Sequence, residues 1–130
     1  MAKKILVVDD DPNLVTYLKA LLEDNGYEII TAKDGNEGLA KSKNEKPDAI
    51  TLDLLMPEKT GIKMFRELRK DNELKTIPII VVTGVSSEYH AFTDFKNFLS
   101  KMKIPGPEAY LEKPINKEDF LATIQKAIKP

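Results

Sequence analysis

Short aliphatic runs alternate along this chain with stretches in which apolar residues recur every three or four positions. Ile5-Leu6-Val7-Val8 is a continuous aliphatic run, the pattern of a strand buried on both faces. Asp11-Pro12 then predicts a helix start, with an acid at the N-cap and proline in the first turn. Leu14, Leu18, Leu21 and Leu22 fall on one face of that helix, and Gly26 ends it. A second strand is predicted over Tyr27 to Thr31. Asp34 and Glu37 resemble a capping box for a short helix to about Asn44. Asp48 to Leu52 reads as a third strand, and Ile62, Phe65 and Leu68 stripe a third helix. Ile79-Ile80-Val81-Val82 is the clearest strand. Tyr89, Phe92, Phe95, Leu99 and Met102 space a fourth helix, while Phe98 falls off its main face, where an exposed aromatic would suit a partner surface. Ala109-Tyr110-Leu111 is a brief fifth strand. Asn116 caps a last helix whose apolar face is Phe120, Ile124, Ala127 and Ile128.

Five strand–helix units in succession imply an α/β fold, a parallel sheet with helices on both faces. In such sheets ligands bind beyond the carboxyl ends of the strands. The first strand ends in Asp9-Asp10 and the third in Asp53. The fourth ends in Thr83, and the fifth at Glu112-Lys113-Pro114. A parallel sheet gathers these ends on one rim. Three crowded carboxylates repel one another until one takes a proton or a cation neutralises them. Oxygen ligands without histidine or cysteine favour Mg²⁺, Mn²⁺ or Ca²⁺. Lys113 brings a mobile positive charge and Thr83 a hydroxyl donor. These are the parts that phosphoryl transfer needs, since that reaction depends on placement and charge neutralisation.

Bulk composition narrows the alternatives. The 130 residues suit one domain, expected to span 1–130 with no output domain. A net charge of -1 gives no overall electrostatic case for nucleic acid or a membrane surface. The absence of cysteine excludes disulfides and thiolate metal sites, and a single histidine, His90, excludes a histidine-rich one. His90 itself reads as a surface residue of the fourth helix. No apolar run approaches the ~20 residues of a membrane span, so a cytoplasmic protein is expected.

The segments VVDDDP, TLDLLMPEKTG, VVTG and YLEKPI, in that order, closely resemble the response-regulator receiver domain of two-component signalling, the CheY-like superfamily. The resemblance covers nearly the whole chain. It implies a flavodoxin-like doubly wound fold with strand order 2-1-3-4-5. It implies Asp53 as phospho-acceptor, and Asp9, Asp10, Asp53 and the backbone carbonyl of Leu55 as ligands of Mg²⁺, with Mn²⁺ an alternative. Thr83 and Lys113 match the family's switch hydroxyl and lysine. Tyr110 matches the aromatic whose rotamer follows phosphorylation, and Pro114 the position that follows a cis peptide. The implied partners are a sensor histidine kinase or a histidine phosphotransfer protein, with no direct nucleic acid and no membrane. The implied state is a monomer or a phosphorylation-dependent homodimer. The implied chemistry is restricted to self-phosphorylation from acyl phosphates and autodephosphorylation.

Two features depart from the family pattern. The stretch from Thr83 to Lys113 is several residues longer than in many receivers, and Pro105-Gly106-Pro107 within it predicts a rigid turn. Leu55 and Val85 stand two positions after Asp53 and Thr83, where side chains in the family modulate water's access to the phosphoryl group; both are apolar and unable to orient a water, so the resemblance implies slow self-dephosphorylation. Other functions fit less well. A flavin binder would want a hydroxyl- and glycine-rich loop where Asp10-Asp11-Pro12 stands. A phosphohydrolase would want an acid at Leu55. A phosphorylation-independent scaffold would have no use for the full set of Asp9, Asp10, Asp53, Thr83 and Lys113.

Overall fold

The computed structural model describes residues 2–54, 56, 58, 60–84 and 89–128, with the backbone alone at 83 and 89–94. Five strands and five helices alternate: β1 (Lys4–Val8), α1 (Pro12–Asp24), β2 (Glu28–Ala32), α2 (Gly35–Glu45), β3 (Ala49–Leu52), α3 (Thr60–Lys70), β4 (Ile79–Thr83), α4 (Tyr89–Met102), β5 (Ala109–Glu112) and α5 (Lys117–Ile128). The strands form one sheet in the order β2-β1-β3-β4-β5, every neighbouring pair parallel. This is the doubly wound, flavodoxin-like order expected. Each predicted element is present. β2 begins and ends one residue later than predicted, and β3 begins one residue later, at Ala49; Asp48 before it donates its N–H to Lys4 O at 2.7 Å and accepts the Lys4 N–H on its carboxylate at 2.8 Å.

Alternation along the strands divides the apolar residues between two cores. Leu6, Val8, Ile50, Leu52, Ile79 and Val81 face one way, toward Met64, Phe65, Leu68, Phe95 and Leu99 of α3 and α4. Ile5, Val7, Ala49, Ile80 and Val82 face the other way, toward Leu18, Leu21, Leu22, Phe120 and Ile124 of α1 and α5. A strand that feeds both layers must be apolar at every position, which explains the unbroken aliphatic runs.

Local signals set the helix ends. Asp11 Oδ1 accepts the Asn13 and Leu14 N–H groups at 3.0 and 3.4 Å, capping α1. Asp34 Oδ1 accepts the Glu37 N–H at 2.8 Å, but the Glu37 carboxylate reaches the Lys33 N–H rather than that of the cap itself. Gly26, at φ +89, closes α1: its N–H donates to Glu23 O and that of Tyr27 to Leu22 O. The same motif closes α4. Lys103 at φ +56 takes the glycine position, its N–H donating to Ser100 O, and Ile104 N–H donates to Leu99 O. This turn corrects the expectation for Met102. The chain reverses just past it, Ile104 packs on the core with Leu99, and Met102 is left 54% exposed. Phe98 is corrected too. Three residues after Phe95, it falls within the broad apolar stripe of α4 and is half-buried against the core.

At the outer edge of the sheet, Lys41 of α2 lays its ammonium on the Thr31 carbonyl of β2, 2.6 Å away. Among the described residues no helix is long and apolar enough to cross a membrane.

Candidate functional site

Register carries the acidic residues to one place. Val8 pairs with Leu52, so Asp9 and Asp53 are the next residues on two adjacent strands. The Asp9 N–H donates to Ala32 O and the Asp53 N–H to Val8 O, holding both backbones to the sheet one step past its regular ladder. Between β1 and β3 the chain's winding reverses, because β1 continues to β2 on one side and β3 to β4 on the other. The two aspartates thus flank the switch point, where a crevice is left between connections that diverge. Thr83 pairs with Glu112 at the carboxyl ends of β4 and β5, and Lys113 follows directly.

Asp9 and Asp53 are buried, while Asp10 is exposed. One carboxylate oxygen from each of the three lies within 4.8 Å of the others. Lys113 Nζ lies 2.9 Å from Asp9 Oδ2 and 3.3 Å from Asp53 Oδ2. The other Asp9 oxygen accepts the Asp11 N–H at 2.9 Å. Burial lifts the Asp9 carboxyl above the ordinary value. The Asp11 N–H and Lys113 oppose this, and the charge of Asp53 adds to it. Burial also disfavours the Lys113 ammonium, but hydrogen bonding and charge attraction to Asp9 and Asp53 outweigh it, so its pKa is raised. The lysine is held charged by the carboxylates that it screens from one another.

Gly61 shapes the acceptor's surroundings. A Cβ at this position would collide with the Asp53 carbonyl oxygen and crowd Leu54, so only glycine lets the start of α3 come so close to the residues after β3. The peptide between Lys113 and Pro114 is cis, in line with the resemblance.

Tyr110, opposite Val81 in β5, is half-buried against the core under α3 and α4. Burial pushes its hydroxyl pKa up, and Lys96 Nζ sits 5.1 Å above its ring. Leu55 and Val85 lie outside the described residues, as do the side chains of Thr83 and His90.

Sequence reasoning missed Arg69. Its guanidinium is buried, with contacts to both the α3–β4 and the α4–β5 connections. The signal was available: Arg69 stands four residues after Phe65 and seven after Ile62, a charge in the middle of an apolar stripe.

Three carboxylates with no sulfur or imidazole among them make a donor set suited to a hard divalent cation. With a lysine against the innermost pair, the arrangement can bind an anionic oxygen through cationic groups and present Asp53 to it.

Comparison with known proteins agrees with this layout. The chain matches the response regulator receiver domain over residues 5–125. It is 35% identical over 125 residues to Protein PilH of Pseudomonas aeruginosa, covering 96% of this chain and 97% of that protein. It is 32% identical to the polar-differentiation response regulator DivK of Brucella anthropi, covering 96% and 95%. The alkaline phosphatase synthesis transcriptional regulatory protein PhoP of Bacillus subtilis is 35% identical over 99% of this chain, which spans 50% of that protein's length. Among solved structures, the receiver domain protein of Methanospirillum hungatei superposes with a TM-score of 0.83 at 31% identity, covering 98% of this chain and 94% of the other. The chemotaxis response regulator CheY4 of Vibrio cholerae gives 0.81 at 31%, covering 98% and 99%. Sheet order, register and acidic rim agree with these matches: the chain belongs to the response regulator receiver domain family, the receiver of a two-component response regulator.

Proposed function

We propose that this receiver is a phosphorylation switch in which Asp53 accepts a phosphoryl group. The observation that carries the reading is the Lys113 ammonium held between the buried carboxylates of Asp9 and Asp53 at the switch point, with Asp10 beside them. Asp53 attacks phosphorus through a carboxylate oxygen. The new O–P bond forms as the donor's P–N bond, in a phosphohistidine, or its P–O bond, in an acyl phosphate, breaks. The leaving imidazole takes a proton from solvent, or the acyl group leaves as its carboxylate. Lys113 stays beside the developing charge and pairs with a phosphoryl oxygen. Asp9 and Asp10, with Asp53 and the Leu55 carbonyl, would hold Mg²⁺, or Mn²⁺ in its place, which supplies charge neutralisation for the incoming phosphoryl oxygens.

Thr83 at the end of β4 would follow the phosphoryl group, and Tyr110 would repack behind it, so that new charge on the rim alters the surface of α4, β5 and α5. The donor is a phosphohistidine on a sensor kinase or a phosphotransfer protein. Small acyl phosphates serve as alternative donors, the chain's chemistry is confined to its own phosphorylation and dephosphorylation in the cytoplasm, and it signals as a monomer or a phosphorylation-dependent homodimer.

The test is incubation with acetyl phosphate and Mg²⁺, read by intact mass. A gain of about 80 Da, one phosphoryl group, is expected in the native protein and in neither Asp53→Asn nor an EDTA-treated sample. A folded, Mg²⁺-binding protein that gains no mass from acetyl phosphate or from a phosphohistidine donor would overturn the reading.

A further inference from the structure

Far from the acidic rim, at the amino ends of β4 and β5, every N–H of a buried guanidinium is in use. Arg69 Nε donates to Pro105 O at 3.3 Å. Its Nη1 donates to Lys75 O and Ile77 O, both at 3.1 Å. Its Nη2 donates to Gly106 O at 2.9 Å and to Glu108 Oε1 at 3.0 Å. The side chain is 3% exposed, and its guanidinium lies 5.0 Å over the Phe65 ring, which meets Phe95 edge-on. The same Glu108 oxygen accepts the Ile79 N–H at 2.6 Å, and the Glu108 N–H donates to Ile79 O. One arginine thereby ties the connection after α3, the turn at 105–107, and the first rungs of β4 and β5.

The acidic site makes no use of this cluster. Its neighbour is Tyr110. A Cβ added to Gly106 would stand 4.0 Å from the Tyr110 hydroxyl oxygen. The turn whose carbonyls Arg69 holds therefore passes near the outer end of the tyrosine ring, while Lys96 lies over its face. The planar fork of arginine can hold several carbonyls in a fixed arrangement, which a lysine cannot reproduce.

We propose that Arg69 is a positioning residue for Tyr110: paired with Glu108, it clamps the 105–107 turn and so defines the seat that the ring occupies. The inference rests on Tyr110 being part of the switch proposed above, but the seat itself is testable without phosphorylation. The consequence for function is that the long α4–β5 connection, in place of adding slack, moves with the sheet.

The test compares native protein with Arg69→Lys and Glu108→Gln, the second keeping an acceptor for the Ile79 N–H. The Tyr110 signals of ring-labelled protein are followed by NMR, assigned with Tyr110→Phe. Amide exchange is measured at Ile79, Gly106 and Glu108, and phosphoryl uptake by mass. In both variants the unphosphorylated Tyr110 signal is expected to shift or split, and exchange at the clamp to quicken roughly tenfold or more, with uptake at Asp53 unchanged. After phosphorylation the native Tyr110 signal moves, and in the variants it moves less. A native Tyr110 signal in both variants, or in the folded one alone if the other fails to fold, would overturn the inference. Absence of uptake in native protein would instead count against the phosphorylation reading and leave the seat measurement to stand.

Discussion

Lys113 and Asp9 are joined at 2.9 Å across the rim, from the end of β5 to the end of β1, over the width of the sheet's central strands. The pair closes a crevice that the strand order opens, and the first prediction comes from separating it. Lys113→Met leaves two buried carboxylates facing each other without a counter-charge. Without divalent cations the variant should lose about 1–2 kcal/mol, the discount reflecting the lysine's partial exposure. Urea unfolding with and without Mg²⁺ checks this, and the deficit should shrink when Mg²⁺ is present. Phosphoryl uptake should slow by about 100-fold.

Asp9 gives a pH-dependent prediction. Its carboxyl pKa, raised mainly by burial, lies above the ordinary 3.8 in the folded chain. Such a group favours folding while protonated, and that contribution disappears as pH rises through the folded value. At neutral pH the ionised Asp9 opposes folding until a cation joins it. Without Mg²⁺, Asp9→Asn should therefore be more stable than native protein, by a margin that widens as pH rises through the carboxylate range. Added Mg²⁺ should reverse the order. Thermal unfolding at several pH values, with EDTA or Mg²⁺, measures both.

Gly61→Ala should cost about 1–3 kcal/mol, because its new methyl meets the Asp53 carbonyl and Leu54, neither of which can swing aside. The backbone must shift at the acceptor itself, so phosphoryl uptake should fall together with stability. A variant that loses stability but keeps native uptake would show that the collision is relieved on the α3 side.

Lys103→Gly should do the opposite. Lys103 holds φ +56 at the end of α4, a conformation that costs a side-chain-bearing residue roughly 1 kcal/mol. Glycine relieves it, and a rise in melting temperature is expected. The gain should be smaller than this cost, since glycine also loosens the unfolded chain.

A leucine side chain cannot orient an attacking water, so with Leu55 two positions after Asp53 a long-lived acyl phosphate is expected. Leu55→Asn should shorten the lifetime, followed by loss of the added mass after the donor is removed. An unchanged lifetime would dismiss that role.

The sheet was readable because its strands are fed from both sides. Ile5-Leu6-Val7-Val8 and Ile79-Ile80-Val81-Val82 have no polar position, and only a doubly covered strand needs that. The rim was readable because strand ends in a parallel sheet share one edge, so Asp9, Asp53, Thr83 and Lys113 could be grouped before any distance was known. Helix ends were harder to place. Nothing in Met102-Lys103-Ile104 distinguishes another helical turn from a reversal, and the reversal decides which of Met102 and Ile104 meets the core. Arg69 was overlooked for a related reason: a charge on an apolar stripe looks like an interruption until the carbonyls that surround it are in place.

β2 is a border of the sheet, with one side paired to β1 and the other turned outward. Lys41 occupies the Thr31 carbonyl on this strand and puts a charge across it. An extended segment from another molecule seeking to add a sixth strand would have to displace that ammonium and bury or expel its charge. The lysine thus makes strand addition at this border costly.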